Sequence, residues 1–181
     1  MADSALIVVD VQEGFTRLGN LASDTCTAAL PRIVSIVESA LSDDVPVFFT
    51  KDSHVENDLE FEMFPPHCIV GTPEHDLAEE LRPFEDRAEA VIQKRRYSAF
   101  FETDLEQRLK DLGVQEVRIA GVCTDICVMH TTSDLRNRDY PVTVLAEGCE
   151  TFDAPGHDHA EVNRWAFAHM KGILGATVEG D

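Results

Sequence analysis

Short apolar runs alternate along the chain with segments whose apolar residues recur every three or four positions. The runs at 6–9 and 117–120 are continuously apolar, which is typical of strands buried on both faces of a parallel sheet. The segment at about 25–41 has helical spacing and predicts an amphipathic helix. Strands are predicted at 6–9, 45–50, 88–93, 117–120, 141–146 and 176–178, and helices at about 25–41, 74–81, 103–112, 126–138 and 159–171.

This alternation predicts an α/β fold, with a mainly parallel β-sheet flanked by helices on both faces and joined by right-handed crossovers. No repeat or linker interrupts the pattern, and 181 residues suit one hydrophobic core. We therefore expect a single domain over residues 1–181. Ligands of such sheets bind beyond the carboxyl ends of the strands, so polar residues that follow the predicted strands are the first functional candidates.

The composition is that of an acidic globular protein, with 44% hydrophobic residues and a formal net charge of −19. Nucleic acid and anionic membranes repel an acidic surface, so neither is an expected partner. No apolar stretch approaches the ~20 residues of a membrane span, and no basic segment of a secretory signal opens the chain. We expect a cytoplasmic protein. Its five cysteines are an odd number, which favours reduced thiols.

Three chemically useful side chains follow predicted strands: Asp10, Lys94 and Cys127. Cys127 is expected in the first turn of a helix, where unpaired N–H groups and the helix dipole favour the thiolate and predict a lowered pKa. A buried structural cysteine is the alternative, and a turn or capping role is the alternative for Asp10. Because the strands end at one edge of the sheet, the three side chains are expected to cluster there.

Other polar residues receive local interpretations. Thr103 and Glu106 have the spacing of a capping box, and Asp125 is placed to cap the helix that carries Cys127. The loop at 51–74 is long and rich in His, Asp, Glu and Pro, and such a loop in a compact domain usually has a function. His130, on the helix behind Cys127, is interpreted as structural. Three further histidines, His157, His159 and His169, are expected to be surface or packing residues without a link to the candidate cluster.

Three motifs resemble those of the isochorismatase-like cysteine hydrolases, and in particular their nicotinamidase (pyrazinamidase) branch. They read D-V-Q-E-G-F at 10–15, K-R-R-Y-S-A-F at 94–100 and G-V-C-T-D-I-C-V at 121–128. The resemblance covers essentially the whole chain, and the motifs come in the family's order and spacing. It implies the isochorismatase-like hydrolase fold.

The resemblance implies a catalytic triad of Asp10, Lys94 and Cys127. The Cys127 thiolate would attack an amide carbonyl and form a thioester, while Asp10 takes the thiol proton and passes it to the leaving ammonia. Lys94 would lower the pKa of the thiol and hold Asp10 in place. The resemblance also implies an oxyanion hole made by the backbone N–H groups of Cys123 and Cys127, next to a cis peptide bond at Val122–Cys123.

The same resemblance implies a metal site in the long loop. Its ligands would be Asp52, His54 and His67, with either Glu60 or Glu62 as a further ligand. One or two carboxylates and two imidazoles suit a divalent metal such as Zn²⁺, with Mn²⁺ or Fe²⁺ as alternatives. No nucleotide cofactor is expected.

Aromatic walls are implied as well, because Phe15, Phe64 and Tyr97 match the positions that sandwich a flat substrate in this family. The implied activity is hydrolysis of nicotinamide, and also of pyrazinamide, to the carboxylate and ammonia. Two alternatives stay open: a hydrolase of another small amide, carbamoyl compound or vinyl ether, and a catalytically silent binding protein. The expected partners are a small-molecule substrate and further copies of the chain in a homo-oligomer.

Overall fold

Six parallel strands form one sheet in the computed structural model, which describes residues 3–180. The strands are β1 (Ser4–Val9), β2 (Val47–Asp52), β3 (Ala90–Lys94), β4 (Glu116–Val122), β5 (Val142–Glu150) and β6 (Thr177–Glu179). They lie in the order β3-β2-β1-β4-β5-β6. The predicted α/β fold with a parallel sheet is confirmed. Met1, Ala2 and Asp181 lie outside the described residues, so the domain boundaries at 1 and 181 stay a prediction.

Helices cover both faces of this sheet, as predicted. They are α1 (Glu13–Thr16), α2 (Asp24–Ser42), α3 (Leu105–Leu112), α4 (Met129–Arg136) and α5 (His159–Gly172). Successive β1 side chains alternate between two hydrophobic cores, because neighbouring residues of a strand point to opposite faces. Ile7 packs in the core with α3, α4 and α5, whereas Leu6 and Val8 pack in the core with α2.

The helix predicted at 74–81 is wrong. Two short 3₁₀ segments, Pro73–His75 and Arg82–Arg87, lie at its edges, and the chain between them is irregular. The reason is tertiary: the N–H of Ala78 donates to the carbonyl of Val11, and Gln12 forms an antiparallel bridge with Leu77. These backbone groups therefore pair with the segment after β1 instead of forming helical hydrogen bonds.

The predicted capping box is also wrong. Helix α3 begins at Leu105, its N-cap residue Asp104 makes no side-chain capping bond, and the Thr103 hydroxyl accepts from the N–H of Leu105, over 3.4 Å, rather than from that of Glu106. The Thr103 hydroxyl donates to the carbonyl of Ala99, and Glu106 pairs with Lys110 and Arg138. The end of α3 is as predicted, since Gly113 lies at its C-terminus with a φ of 72°, a conformation in which glycine is favoured.

The sheet edge that carries the candidate residues depends on a close approach of β1 and β4. Gly121 has a φ of 127°, and a Cβ at this position would lie 2.2 Å from the carbonyl oxygen of Val9. Glycine is therefore required where β4 passes the end of β1. This approach brings the residues after the two strands, Asp10 and the turn with Cys127, to the same place.

Two predictions from composition can be compared with the fold. All five cysteines are free, as their odd number predicts. Between residues 3 and 180, no helix has both the length and the apolar character that crossing a bilayer requires.

Candidate active site and metal centre

The structure brings the three predicted strand-end residues into contact. Asp10 directly follows β1, Lys94 is the last residue of β3, and Cys127 lies in a π-helical turn, Thr124–Val128, that follows β4. Lys94 Nζ lies 2.7 Å from Asp10 Oδ2 and 3.7 Å from Cys127 Sγ. All three side chains are buried. A carboxylate, an ammonium group and a thiol therefore share one enclosed site.

Asp10 is held by β2 as well as by Lys94. Its φ is 51°, in the left-handed region, and the Thr50 hydroxyl donates to Asp10 Oδ1 over 2.5 Å and accepts from the Asp10 N–H over 3.1 Å. Burial raises the pKa of the Asp10 carboxyl, with the nearby charge of Asp52 adding to this, and Lys94 offsets the rise only in part. Thr50 was missed by the sequence analysis, although the register of β1 and β2 places it beside Asp10.

The expected lowering of the Cys127 pKa is wrong. Burial raises the pKa of the thiol well above its ordinary value, and the carboxyl groups of Asp10 and Asp52 raise it further. Lys94 opposes this, as predicted, but does not overcome it. The helical environment also differs from the prediction, since a π-helical turn precedes α4. The thiol is therefore protonated at rest, beside a carboxyl group that can receive its proton.

Lys94 connects this triad to a second buried cluster. Its ammonium group donates to Asp52 Oδ1 over 3.2 Å, a contact that follows from the register, in which Asp52 and Lys94 are paired across β2 and β3. Burial alone would lower the pKa of Lys94, but the charges of Asp10 and Asp52 raise it well above its ordinary value. The lysine is therefore a fixed cation between the two clusters.

The second cluster contains the predicted metal ligands. Asp52, His54, Glu60 and His67 are all buried, and each offers one ligand atom within 4.8 Å of the others. Asp52 Oδ2 lies 3.1 Å from His54 Nε2 and 3.5 Å from His67 Nε2, and Glu60 Oε1 lies 3.8 Å from His54 Nε2. Glu62 is exposed, so the structure separates the two glutamates that the sequence analysis left open.

The donor atoms of this cluster fit a divalent metal. Glu60 Oε2 is buried without a hydrogen-bond partner, which is costly unless another group binds it. Two imidazoles and two carboxylates form a ligand set typical of zinc and its neighbours in the first transition row. The four residues therefore form a candidate site for a divalent metal.

Two polar residues that the sequence analysis did not single out support this site. The Gln12 amide donates to the carbonyl of Asp52 and accepts from its N–H over 2.6 Å, which fixes the end of β2. Asp58 Oδ2 lies 3.2 Å from His54 Nδ1, and Arg96 pairs with the same carboxylate. Such outer contacts orient metal ligands. Gln12 lies within the quoted 10–15 motif, so its position was visible, but its contacts were not.

A cavity of about 730 Å³ opens onto both clusters. Cys123 and Cys127 line it, and so do the three aromatic residues expected to form its walls. Phe64 lies edge-on to Tyr97, with ring centroids 6.4 Å apart, and the Phe15 and His67 rings are 5.6 Å apart. The peptide bond Val122–Cys123 is cis, as the resemblance implies.

Two local predictions near Cys127 are wrong. Asp125 does not cap a helix: its carboxylate accepts from the Thr151 hydroxyl over 2.6 Å and lies 3.1 Å from His157 Nε2. His157, expected to have no link to the site, is therefore joined to the turn that carries Cys127. His130 is exposed and packs its ring on Tyr97, with centroids 5.2 Å apart.

Known proteins are similar to this chain in sequence and in fold. Residues 4–171 match the Isochorismatase domain family. The nicotinamidase/pyrazinamidase of Mycobacterium tuberculosis is 34% identical over 159 residues, which cover 79% of this chain and 84% of that protein. The crystal structure of a nicotinamidase from Bacillus subtilis has a TM-score of 0.86 and 32% identity, with 97% of this chain and 98% of that chain covered.

A third similar structure is a pyrazinamidase of Pyrococcus horikoshii in complex with zinc, with a TM-score of 0.81, 28% identity, and coverage of 97% of this chain and 98% of that chain. These structural likenesses extend over nearly the whole chain. The chain therefore belongs to the isochorismatase family of hydrolases, in its nicotinamidase/pyrazinamidase branch.

Proposed function

We propose that this protein hydrolyses nicotinamide to nicotinate and ammonia, and pyrazinamide in the same way. The observation that carries the proposal is the contact of Lys94 with both Asp10 and Asp52, which joins a thiol-containing triad to a cluster of metal ligands. A small aromatic amide with a ring nitrogen has one group for each: a carbonyl carbon for the thiol and a nitrogen lone pair for the metal. Relatives named for this activity support the assignment.

The aromatic side chains would orient the substrate ring. Phe15, Phe64 and Tyr97 border the same cavity as Cys127, so a flat ring between them presents its carboxamide to the sulfur. Glu60, rather than the exposed Glu62, would complete the ligand set of Asp52, His54 and His67. The metal, which we assign as Zn²⁺ with Mn²⁺ or Fe²⁺ as substitutes, would supply a Lewis acid for the pyridine nitrogen and withdraw electrons from the ring.

The proposed chemistry begins with a proton transfer from Cys127 Sγ to Asp10. The raised pKa of Asp10 makes this carboxylate a stronger base than an ordinary aspartate, which favours the transfer. The sulfur attacks the carbonyl carbon, and the N–H groups of Cys123 and Cys127 would bind the oxygen as it becomes negative. Asp10 then returns the proton to the amide nitrogen, the C–N bond breaks, and ammonia leaves.

The thioester is hydrolysed in the second half of the reaction. Asp10 removes a proton from a water molecule, the hydroxide attacks the carbonyl carbon, and the C–S bond breaks to release nicotinic acid, which ionises to nicotinate as ammonia takes up its proton. The sulfur recovers a proton from Asp10, so the site returns to its starting state. Lys94 would keep its charge throughout and hold Asp10 beside the sulfur, as its 2.7 Å contact indicates.

The test is ammonia release from nicotinamide, pyrazinamide and benzamide by metal-replete protein. Benzamide has the carboxamide but no ring nitrogen, so we expect a much lower kcat/KM for it than for the other two. In His54→Ala, which lacks one ligand of the metal cluster, the kcat/KM for nicotinamide should fall toward that for benzamide. Equal rates on nicotinamide and benzamide, or no release of ammonia from any of the three, would overturn the proposal.

The predicted homo-oligomer is a separate proposal, to be tested by light scattering.

A further inference from the structure

The loop between β5 and α5, residues 151–158, is tied to the turn that carries Cys127. Asp125, two residues before Cys127, receives the Thr151 hydroxyl on Oδ1 and lies 3.1 Å from His157 Nε2 through Oδ2. Within the loop, Ala154 and His157 exchange backbone hydrogen bonds of 3.0 and 2.8 Å. The loop therefore has one anchoring side chain at each end, and both reach the same carboxylate.

His157 lies between two hydrogen-bond acceptors. Its Nδ1 is 2.8 Å from the carbonyl oxygen of Phe152, which can only accept, and its Nε2 faces the Asp125 carboxylate. A neutral imidazole has one N–H and can satisfy one of these acceptors, whereas the imidazolium satisfies both. The geometry of the loop is thus that of a protonated histidine.

Phe152 is the residue that this arrangement places. Its ring is stacked on that of His157, with centroids 4.1 Å apart and an angle of 1° between the planes, an arrangement in which a cation over an aromatic face is attracted to it. The same Phe152 lines the cavity that contains Cys127, together with Ile126 of the Cys127 turn. It is an additional aromatic border of the cavity, beyond the three expected from the sequence.

We propose that protonated His157 is a positioning residue, which binds Asp125 and stacks on Phe152 so that this ring forms a wall of the substrate cavity. The role in substrate binding rests on the proposed function of the cavity, whereas the closure of the loop does not. His157 contacts neither Cys127 nor the metal ligands. Its removal should therefore weaken substrate binding more than it slows the chemical step.

The groups around the His157 imidazole determine the direction in which its pKa is shifted. Among the described residues, Asp125 is the charged group that pairs with His157. Neighbouring titratable groups include Asp153 and Asp158 in the loop, Asp24, Cys123 and Cys127 around the cavity that Phe152 lines, and Glu150 and His159, which pair with each other over 3.1 Å. Burial alone would lower the pKa of His157, but its hydrogen bonds with Asp125 and Phe152 raise it above the ordinary 6.5.

The sign of the effect follows from this direction. A group whose pKa is raised in the folded state stabilises it fully below the unfolded pKa, and this stabilisation is lost as the pH rises through the folded pKa. The loop should therefore be closed under mildly acidic conditions and should loosen on the alkaline side of the His157 titration. The KM of the wild-type enzyme should rise over the same interval.

The first experiment compares KM and kcat for nicotinamide in wild type, His157→Ala, His157→Gln and His169→Ala. We expect His157→Ala to raise KM about tenfold below the His157 pKa, the loss of one charge-assisted hydrogen bond, with kcat changed less than about threefold. The glutamine side chain keeps an N–H donor for Asp125 but does not ionise, so the KM of His157→Gln should be intermediate and independent of pH. His169 stacks on Trp165 of α5 away from the cavity, so this variant should match wild type. An unchanged KM in His157→Ala, or an equal loss in kcat, would overturn the proposal.

The second experiment needs no substrate and remains informative if nicotinamide is not hydrolysed. Hydrogen exchange of the 151–158 amides, corrected for the intrinsic rate, is measured in wild-type protein across the His157 titration and in His157→Ala. The amides of Ala154 and His157 should lose protection as the pH rises, and in the variant at every pH. Protection that is equal in both proteins and independent of pH would show that His157 does not hold the loop, whatever the substrate is.

Discussion

The triad and the metal cluster are built on different parts of the fold. Asp10 and Lys94 lie at strand ends, where the hydrogen bonds of the sheet fix the backbone, and Cys127 follows β4 directly. Three of the four proposed metal ligands, His54, Glu60 and His67, instead lie in the long segment after β2. Strand-end positions are set by register, whereas loop positions depend on a few side-chain contacts. Substitutions in the triad should therefore impair the chemistry, and substitutions around the loop should impair metal binding.

The strongest separation of the two regions is expected from Asp10→Asn. Asparagine keeps the size of the side chain but cannot take the thiol proton, so kcat should fall by about 10²–10⁴-fold while metal content is unchanged. Steady-state kinetics and elemental analysis measure the two quantities. Asp44→Asn is the matched control, since Asp44 is exposed and has a similar positive φ of 56°. Loss of metal from Asp10→Asn would show that the regions are not separable.

Two glutamates, one buried and one exposed, test the metal cluster in the long loop after β2. Glu60→Gln removes a charge from the buried cluster and should weaken metal binding at least about 100-fold, more than the loss of an outer contact. Glu62→Gln changes the same group two residues away on the exposed surface and should bind metal as wild type does. Titration with a competing chelator gives both affinities. Equal effects of the two substitutions would contradict the assignment of Glu60.

The smallest of these effects is expected from Gln12→Ala, which removes the amide that holds the N–H and carbonyl of Asp52. Metal affinity should fall about tenfold because the carboxylate loses its fixed orientation. The buried backbone groups would also lose their partners, which lowers the free energy of unfolding by about 1–3 kcal/mol. Chelator competition and denaturant unfolding measure these changes. An unchanged affinity would show that Asp52 is held by the sheet alone.

The difference between strand-end and loop positions also explains which features could be predicted from the sequence. Apolar runs located the strands, and their parallel arrangement correctly placed Asp10, Lys94 and Cys127 at one edge. Periodicity failed at 74–81, where the backbone pairs with the segment after β1, because such a tertiary contact has no local signal. The positions of Asp52, His54 and His67 came from resemblance to a family, since two imidazoles and a carboxylate in a polar loop have no diagnostic periodicity.

Electrostatics was the other part that the sequence could not supply. A helix start predicted a lowered pKa for Cys127, but burial and two neighbouring carboxyl groups raise it, and neither is visible in a local pattern. The choice between Glu60 and Glu62 and the link from His157 to Asp125 likewise depend on which side chains turn inward. Thr50 was accessible in principle, because the predicted strands at 6–9 and 45–50 end beside each other in a parallel sheet.

The proposed function requires Cys127 as the nucleophile beside an intact cluster of metal ligands. The most direct measurement is ammonia release from nicotinamide by Cys127→Ala, with its metal content, against wild type and a Cys149→Ala control, since the buried Cys149 does not line the cavity. We predict that Cys127→Ala keeps its metal and loses at least about 10⁴-fold in kcat, as removal of a nucleophile does in other hydrolases, while the control stays active. A metal-loaded Cys127→Ala protein within about tenfold of the wild-type rate would show that Cys127 is not the nucleophile.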